Sequence, residues 1–426
     1  MLLVVAPLRC VSVSPWWGFA LDFAFWLRLC CGVCSPKPLS THFRPAARSQ
    51  KPGACIIIHV VHVQKISVKL GRSSYDVLIG DGLLRDAGRM AGRLRPSKDS
   101  LVFVITSPNV RRHWGEKLET SLQRARLKYH VLEMDDGEPA KKLAAVEQAA
   151  EQMVQAGADR KSLVVAFGGG VIGDSAGFLA SIFMRGVPVV QIPTTVVAQL
   201  DASIGGKTGV NLRSGKNLIG TFHQPRMVLV DPQILATLDE REFRSGLFEA
   251  VKCGVIRDRK LFEFMVRMPQ KIRDRNRKAL ERIIVDSVRV KANVVTADER
   301  ESGLRAFLNF GHTIGHALEA ATGYSQLLHG EAVGWGMVAA AAIASDVRAC
   351  TPATAAQITS AVASYGPLPP FKASTEDVVS RLSADKKRVA GTIHFVLPQK
   401  IGKVKITSEV PPEAIHRAVE HIRNHA

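Results

Sequence analysis

The chain predicts an α/β fold: a parallel sheet covered by helices in its first half, followed by a mostly helical second half. Three observations carry this expectation. Short apolar runs of strand length alternate with helical stretches between about Ile66 and Pro193, the pattern of a sheet buried on both faces. A glycine-rich turn, Gly168–Asp174 (GGGVIGD), directly follows one of these runs and leads into a helix. From about Asp239 the pattern becomes helical almost throughout.

Taken in order, residues 1–64 stand apart as a leader. They hold Trp16, Trp17 and Trp26 and a lone acid, Asp22, among several basic residues, and residues 35–53 are rich in Ser, Pro and Arg. Basic, Ser-containing and acid-poor is the composition of an organelle transit peptide. The apolar run from Trp16 to Val33 is interrupted by Asp22 and Arg28, which argues against a membrane span. A signal sequence followed by a transit peptide also fits, as does leader that is not truly translated.

Strands are expected at Ile66–Leu70, Tyr75–Gly80, Leu101–Thr106, Tyr129–Met134, Ser162–Phe167 and Val189–Pro193, where apolar residues alternate or run together. Helical periodicity covers a stretch ending near Leu118, and Lys142–Ala156. Beyond a boundary near Leu235–Asp239, helices are expected at Arg241–Ile256, Gln270–Ala297, His312–Ala320 and Gly330–Ala344. A strand pair at Gly391–Leu397 and Gly402–Ile406 precedes a final helix from Pro412. The organisation is thus a leader over 1–64, an α/β domain over 65–238 and a helical domain over 239–426.

Bulk properties narrow the function. With 46% hydrophobic and 22% charged residues the chain can bury a substantial core. The net charge of +19 admits a nucleic-acid binder, but no zinc knuckle, RNA-recognition signature or aromatic-interleaved basic run accompanies it. A solvated basic face, or a site for anionic substrates, is the better reading. Five of seven cysteines fall in the first 55 residues, so the body carries only Cys253 and Cys350 and has no disulfide framework.

The glycine turn at a strand's carboxyl end lets a nucleotide pyrophosphate approach the backbone at a helix N-terminus. It is not a GxGxxG fingerprint, and a tight strand-to-helix turn is the plain structural alternative. Asp201–Thr208 (DASIGGKT) lacks the leading glycine of a P-loop, so no such loop is read there. Lys207, Lys216 and Asn217 near a sheet edge suit a phosphorylated or carboxylated small substrate. His312 and His316, four apart, share a helical face, and Glu249 on the run FRSGLFEAVKCGVI is the best outside carboxylate. Three such donors with an open position make a catalytic rather than structural divalent-metal site; core histidines are the alternative.

Read together, GGGVIGD, Pro193–Thr195, Asp201–Thr208, Gly215–Asn217, Glu249–Lys252, Gly303–Ala306, Asn309–His316 (NFGHTIGH) and His329–Ala332 stand in the order of one family. From Ile66 to the C-terminus the chain resembles the 3-dehydroquinate synthases of the shikimate pathway, within the sugar phosphate cyclases. The resemblance implies a Rossmann-like NAD domain, a helical domain holding a divalent metal (zinc, or cobalt in its place), and a homodimer with no nucleic-acid or membrane partner. The implied reaction turns 3-deoxy-D-arabino-heptulosonate 7-phosphate into 3-dehydroquinate and phosphate. It runs by transient NAD-dependent oxidation, phosphate β-elimination, re-reduction and intramolecular aldol closure.

By matched position the resemblance implies the metal ligands Glu249, His312 and His329, and moves His316 to the substrate phosphate. It implies cofactor contacts at Asn109, Glu138, Lys141, Gly169, Gly170, Asp174, Thr194, Thr195, Asp201 and Lys216. Implied substrate positions are Asp201, Lys207, Asn217, Lys252, Lys291, Arg305, Asn309, His316 and one of Lys386 and Lys387. Of these, Lys207, Lys252, Arg305, Asn309 and His316 carry the catalytic roles. Arg185 matches an arginine that reaches the neighbouring subunit's phosphate site. Together with the leader, the pathway points to a plastid; without a working leader the destination is the cytoplasm. A related cyclase with another substrate, or a metal-dependent polyol dehydrogenase releasing NADH, are the competing enzyme readings.

Overall fold

The expected alternation of strands and helices builds a seven-stranded sheet. The computed structural model describes residues 63–425 apart from 302 and 389–392, and only the backbone of 383–388. The sheet contains β1 (Gln64–Val68), β2 (Tyr75–Ile79), β3 (Val102–Thr106), β4 (Tyr129–Glu133), β5 (Leu163–Gly168), β6 (Val189–Pro193) and, after a hairpin described below, β9 (Met227–Val230). Its order is β1-β2-β9-β6-β5-β3-β4, and every pair is parallel except β1 with β2.

Strands β3, β5, β6 and β9 are buried along their whole length, which is why they read as continuous apolar runs. Alternate side chains feed two separate apolar layers. Phe103, Ile105, Val164 and Ala166 face one, and Val102, Val104, Leu163 and Val165 face the other. The chain reverses its winding between β3 and β5, the position at which open α/β sheets bind ligands beyond their strand ends.

Two departures from the sequence expectation bear on the site. The glycine- and lysine-rich stretch, placed near a sheet edge with no strands expected in it, is an antiparallel hairpin, β7 (Lys207–Leu212) with β8 (Gly215–Phe222). Its glycines are close-approach positions: a Cβ on Gly209 would lie 2.6 Å from the Ile219 carbonyl oxygen. A low apolar content hides such a strand pair from pattern reading, and the four-residue β9 that follows was also unexpected. The helix expected over Gln270–Ala297 breaks after Pro269–Arg273. Arg275 adopts φ 55° there, and Asn276 caps a new helix, Arg277–Ala297, by accepting from Ala279 N.

The bend places Arg275 against the connection between the two halves. Its guanidinium donates to the carbonyls of Leu235, Ala236 and Leu238 at 2.9, 3.1 and 2.7 Å and lies over the Phe243 ring. The apolar core of the helical half continues onto the sheet's near edge through Val68, Val77, Ile79, Val228 and Val230. The later strand pair is β10 (Phe395–Lys400) with β11 (Lys403–Thr407), followed by helix Pro412–Asn424. Among the described residues no helix is long and apolar enough to cross a membrane.

Candidate active site

Three helices meet to form the centre of the site. Helix Glu240–Ile256 starts at Asp239, whose carboxylate accepts from Arg241 N and Glu242 N, and it carries Glu249 in its interior. His312 opens helix His312–Ala321, and His329 opens helix His329–Asp346. Small residues let these helices touch backbone to backbone. A Cβ on Gly330 would sit 1.9 Å from the Ser245 carbonyl oxygen, and one on Gly336 1.9 Å from that of Gly311. Glu331 fixes the start of the third helix by accepting from Leu328 N and from the Arg241 guanidinium at 2.7 and 2.8 Å.

The result is a cluster in which Glu249, His312 and His329 each present a donor atom, all within 4.8 Å of one another. Glu249 Oε1 lies 3.5 Å from His312 Nε2 and 3.4 Å from His329 Nε2. The carboxylate is fully buried and neither oxygen accepts a hydrogen bond, although Oε2 is ion-paired with Lys252 Nζ at 2.5 Å. With Oε2 taken by Lys252, the remaining oxygen Oε1 faces two imidazole nitrogens, a donor set that fits a divalent cation. His312 Nδ1 lies 3.2 Å from the Phe310 carbonyl, which orients the ring and leaves Nε2 toward the cluster. His316, one turn further, is exposed, with its ring centroid 5.3 Å from that of His312.

Electrostatics support this fit. Burial opposes ionisation of Glu249, but the Lys252 ammonium and the imidazoles outweigh it and hold the carboxyl well below the usual range. Burial, helped by Lys252, pushes His312 down to about 3, so its ring is neutral and able to donate a lone pair. Burial also disfavours charge on His329, yet the carboxylates of Glu249 and Glu319 raise it to about 10.

Buried cations adjoin this centre. Lys252 is 1% exposed and Lys291 6%. Lys291 Nζ pairs with Asp201 Oδ1 at 2.5 Å and donates to the Asp201 carbonyl at 2.8 Å. Burial pulls Lys291 below its ordinary value despite this acid. Burial raises Asp201, but Lys291 and Lys252 outweigh it and bring it to about 2. Arg305 is buried, and its Nη2 donates to the Gly205 carbonyl at 3.1 Å. Gly205 has φ +95°, and a Cβ there would lie 2.4 Å from Arg305 Nη2. Lys207 forms an ion pair with Glu301, and Asn309 Nδ2 donates to Glu301 Oε1 at 3.0 Å.

The expected cofactor residues lie after the carboxyl ends of the sheet strands. Asn109 follows β3, Glu138 and Lys141 follow β4, Gly169 and Gly170 follow β5, and Thr194 and Thr195 follow β6. Gly169 caps helix Gly170–Ile182, and a Cβ on it would press to 3.0 Å from Thr195 Cγ2. Lys141 is buried, and its Nζ reaches Asp174 Oδ2 and Asn217 Oδ1, both at 2.5 Å. Asn211 joins Glu138 Oε1 to Asn217 N at 2.7 and 2.8 Å. Lys216 Nζ lies 2.8 Å from Glu319 Oε1 and 4.0 Å from Glu138 Oε1, so the hairpin links the cofactor side to the metal side.

The spacing argument paired His312 with His316 around a metal; the structure sets His329 beside Glu249 and His312, the set the resemblance implied, and also groups His316 with Glu319 and His329. Asn109 is exposed and accepts from Arg112 at 2.7 Å. Arg185 is exposed in a strained turn where Met184 and Arg185 have φ 46° and 71°. Lys386 and Lys387 end helix Thr375–Arg388, and their side chains lie outside the described residues, as does the leader over 1–62. Sequence reasoning missed Glu319 and Glu301. Glu319 could have been found by its spacing, three residues after His316 on one helical face. Nothing in the sequence ties Glu301 to Lys207.

Two consecutive family models match the chain, 3-dehydroquinate synthase N-terminal over residues 131–245 and 3-dehydroquinate synthase C-terminal over 246–388. A 3-dehydroquinate synthase of Koribacter versatilis is 51% identical over 361 residues, covering 85% of this chain and 98% of its own length. The solved 2-epi-5-epi-valiolone synthase ValA of Streptomyces hygroscopicus, with NAD+ and Zn2+ bound, is similar at TM-score 0.77 and 29% identity, over 84% of this chain and 99% of that one. A 2-deoxy-scyllo-inosose synthase complexed with carbaglucose-6-phosphate, NAD+ and Co2+ has TM-score 0.77 and 26% identity, over 84% and 100%. Placed beside the converging Glu249, His312 and His329 and the glycine turn at the carboxyl end of β5, these matches establish that the chain belongs to the 3-dehydroquinate synthase family.

Proposed function

We propose that this chain converts 3-deoxy-D-arabino-heptulosonate 7-phosphate into 3-dehydroquinate and phosphate, as a carbon–oxygen lyase that uses NAD and a divalent metal. The observation that carries the reading is the acid–imidazole cluster built on buried Glu249 and His312 and half-buried His329, set directly against Lys252, with Lys291 and Arg305 close by. Glu249, His312 and His329 would hold the metal, and the turn Gly168–Gly170 with Thr194, Thr195, Asp174 and Lys216 would hold NAD. When bound, the metal lowers the pKa of coordinated hydroxyls and NAD reversibly accepts hydride, so the reaction is redox-neutral overall.

This chain's own groups supply binding, orientation and charge. Lys207, Arg305 and His316 hold the phosphate and stabilise the charge that grows as it leaves. Lys252 and Lys291, kept in place by Glu249 and Asp201, orient the oxygens of the sugar acid without a flexible side chain having to be ordered on binding. A site rich in cations and poor in free bases suits an elimination in which the phosphate takes up the adjacent proton itself. Asn309 and Asn217 provide neutral polar contacts.

The test is phosphate release from the heptulosonate phosphate by the purified protein with NAD, with and without chelator, and with zinc or cobalt restored. Equal phosphate and dehydroquinate, lost on chelation and without net NADH, supports the reading. Net NADH from simple polyols with no phosphate would replace it with a dehydrogenase.

A homodimer belongs to the same proposal. Arg185 sits in the strained turn after Ile182, beside the hairpin end where Thr221 donates to Ser181 at 2.7 Å. Ile182, Met184 and Phe222 are exposed there, an apolar patch able to join a second copy. Sedimentation at micromolar concentration showing only monomer would remove it. The plastid destination rests on the composition of residues 1–64, and the relative described above is bacterial, which weighs against it. Plastid import of a reporter fused to residues 1–64 sustains it, and cytosolic fluorescence overturns it.

A further inference from the structure

His329 has two nitrogens with different neighbours. Nε2 faces Glu249, while Nδ1 lies 3.4 Å from Glu319 Oε2. Glu319 is 2% exposed, one turn beyond His316 on its helix, and its other oxygen accepts from Lys216 Nζ at 2.8 Å. Lys216 in turn lies on β8, 4.7 Å over the Tyr324 ring and 4.0 Å from Glu138. Tyr324 is held at φ 57° with its N–H on the Glu319 carbonyl at 2.7 Å, so both ends of the contact are anchored. A continuous chain of polar contacts therefore runs from the cofactor side of the hairpin to the metal cluster.

We propose that Glu319 is a positioning residue for the metal ligand His329, and that the Lys216–Glu319–His329 chain couples cofactor occupancy to metal affinity. The proposal rests on the reading that His329 is a ligand and Lys216 a cofactor contact. A carboxylate on the far nitrogen of a ligating imidazole fixes its tautomer and strengthens it as a donor. Lys216 divides the Glu319 charge between two partners. A cofactor phosphate that draws on the Lys216 ammonium leaves more of that charge for His329, so NAD tightens metal binding. By linkage the metal tightens NAD by the same factor.

The experiment is competition of the metal-stripped protein with a chromophoric chelator for Co2+, with and without saturating NAD, in wild type, E319Q, K216M and H329A. Circular dichroism checks folding, and calorimetry checks that NAD binds metal-free wild type and E319Q. In wild type, NAD should tighten Co2+ by about fivefold or more. E319Q should weaken Co2+ by about 10–100-fold without shifting the visible Co2+ band, and NAD should no longer change its affinity. K216M, with the Glu319 charge released, should bind Co2+ more tightly than wild type in the absence of NAD. A Co2+ affinity in E319Q within about twofold of wild type, or an undiminished NAD effect there, overturns the proposal. So does a shifted band in E319Q, which makes Glu319 a ligand through the alternative grouping His316, Glu319 and His329. H329A isolates the underlying reading: if it keeps Co2+ at wild-type affinity, His329 is not a ligand and the assignment of the metal site itself falls.

Discussion

The two halves of the site are built by opposite means. On the sheet side, functional residues follow the ends of parallel strands: the register of β5 with β6 delivers Gly169 and Thr194 to one end of the sheet, and Lys141 is held there by Asp174 and Asn217. On the helical side, Glu249, His312 and His329 come from three helices, and contact between backbones is what brings them together. The first arrangement tolerates local change, because the loops after β5 and β6 hang from strands buried on both sides. The second depends on glycines where helix backbones touch, among them Gly330 beside His329 and Gly311 beside His312, and a single methyl group on Gly330 would press the helices apart.

That contrast is broken most sharply by Gly330→Val. Its side chain would collide with the Ser245 backbone, so the helices must part, and stability should fall by about 3 kcal/mol or more along with the metal site. Thermal melting and metal analysis check both. Gly169→Val is the matched change on the sheet side. It meets a Thr195 methyl, which can give way, so the protein should fold and keep its metal while NAD affinity drops by about tenfold or more, read by calorimetry. If Gly169→Val costs the metal and Gly330→Val does not, the division between the halves is wrong.

Two smaller effects sharpen the comparison. Arg275→Ala removes three hydrogen bonds to the carbonyls of the connection between the halves, and should lower stability by about 2 kcal/mol in denaturant titration while leaving the turnover of the folded protein unchanged. Asp201 has the depressed folded value of a paired acid, about 2, set by Lys291 and Lys252 against the opposing effect of burial. Its contribution to stability is therefore complete above the unfolded value near 4 and is lost as pH falls toward 2. The stability difference between wild type and Asp201→Asn should shrink over that window. A difference that stays constant from pH 4 to 2 would show that the carboxylate's charge is not what matters.

What could be read from the sequence follows the same division. Strands β3, β5 and β6 were legible because burial on both faces leaves a run of apolar residues, and the loops after them inherit their position from the strand ends. The hairpin β7–β8 was not, because its stability comes from glycine backbones in close contact and from packing on helix Gly170–Ile182, neither of which leaves an apolar period. The metal cluster was only half legible. Helical spacing joins His312 to His316, but it cannot see that Gly330 seats a third helix against Ser245 and delivers His329 from 17 positions away. The motif order that marks the family supplied what local spacing lacked. Glu319 shares a helical face with His316, but its partner Lys216 is remote in sequence, and Glu301 has no local signal at all because its partner Lys207 is equally remote.

The assignment of ligands is tested most directly by metal analysis of two purified variants, His329→Ala and His316→Ala, after dialysis against a weak chelator. His329→Ala should lose both bound metal and activity. His316→Ala should retain metal at the wild-type level and lose activity only in part. Equal metal loss in the two variants would contradict the placement of Glu249, His312 and His329 as the metal centre and restore the helical pair His312 and His316 to it.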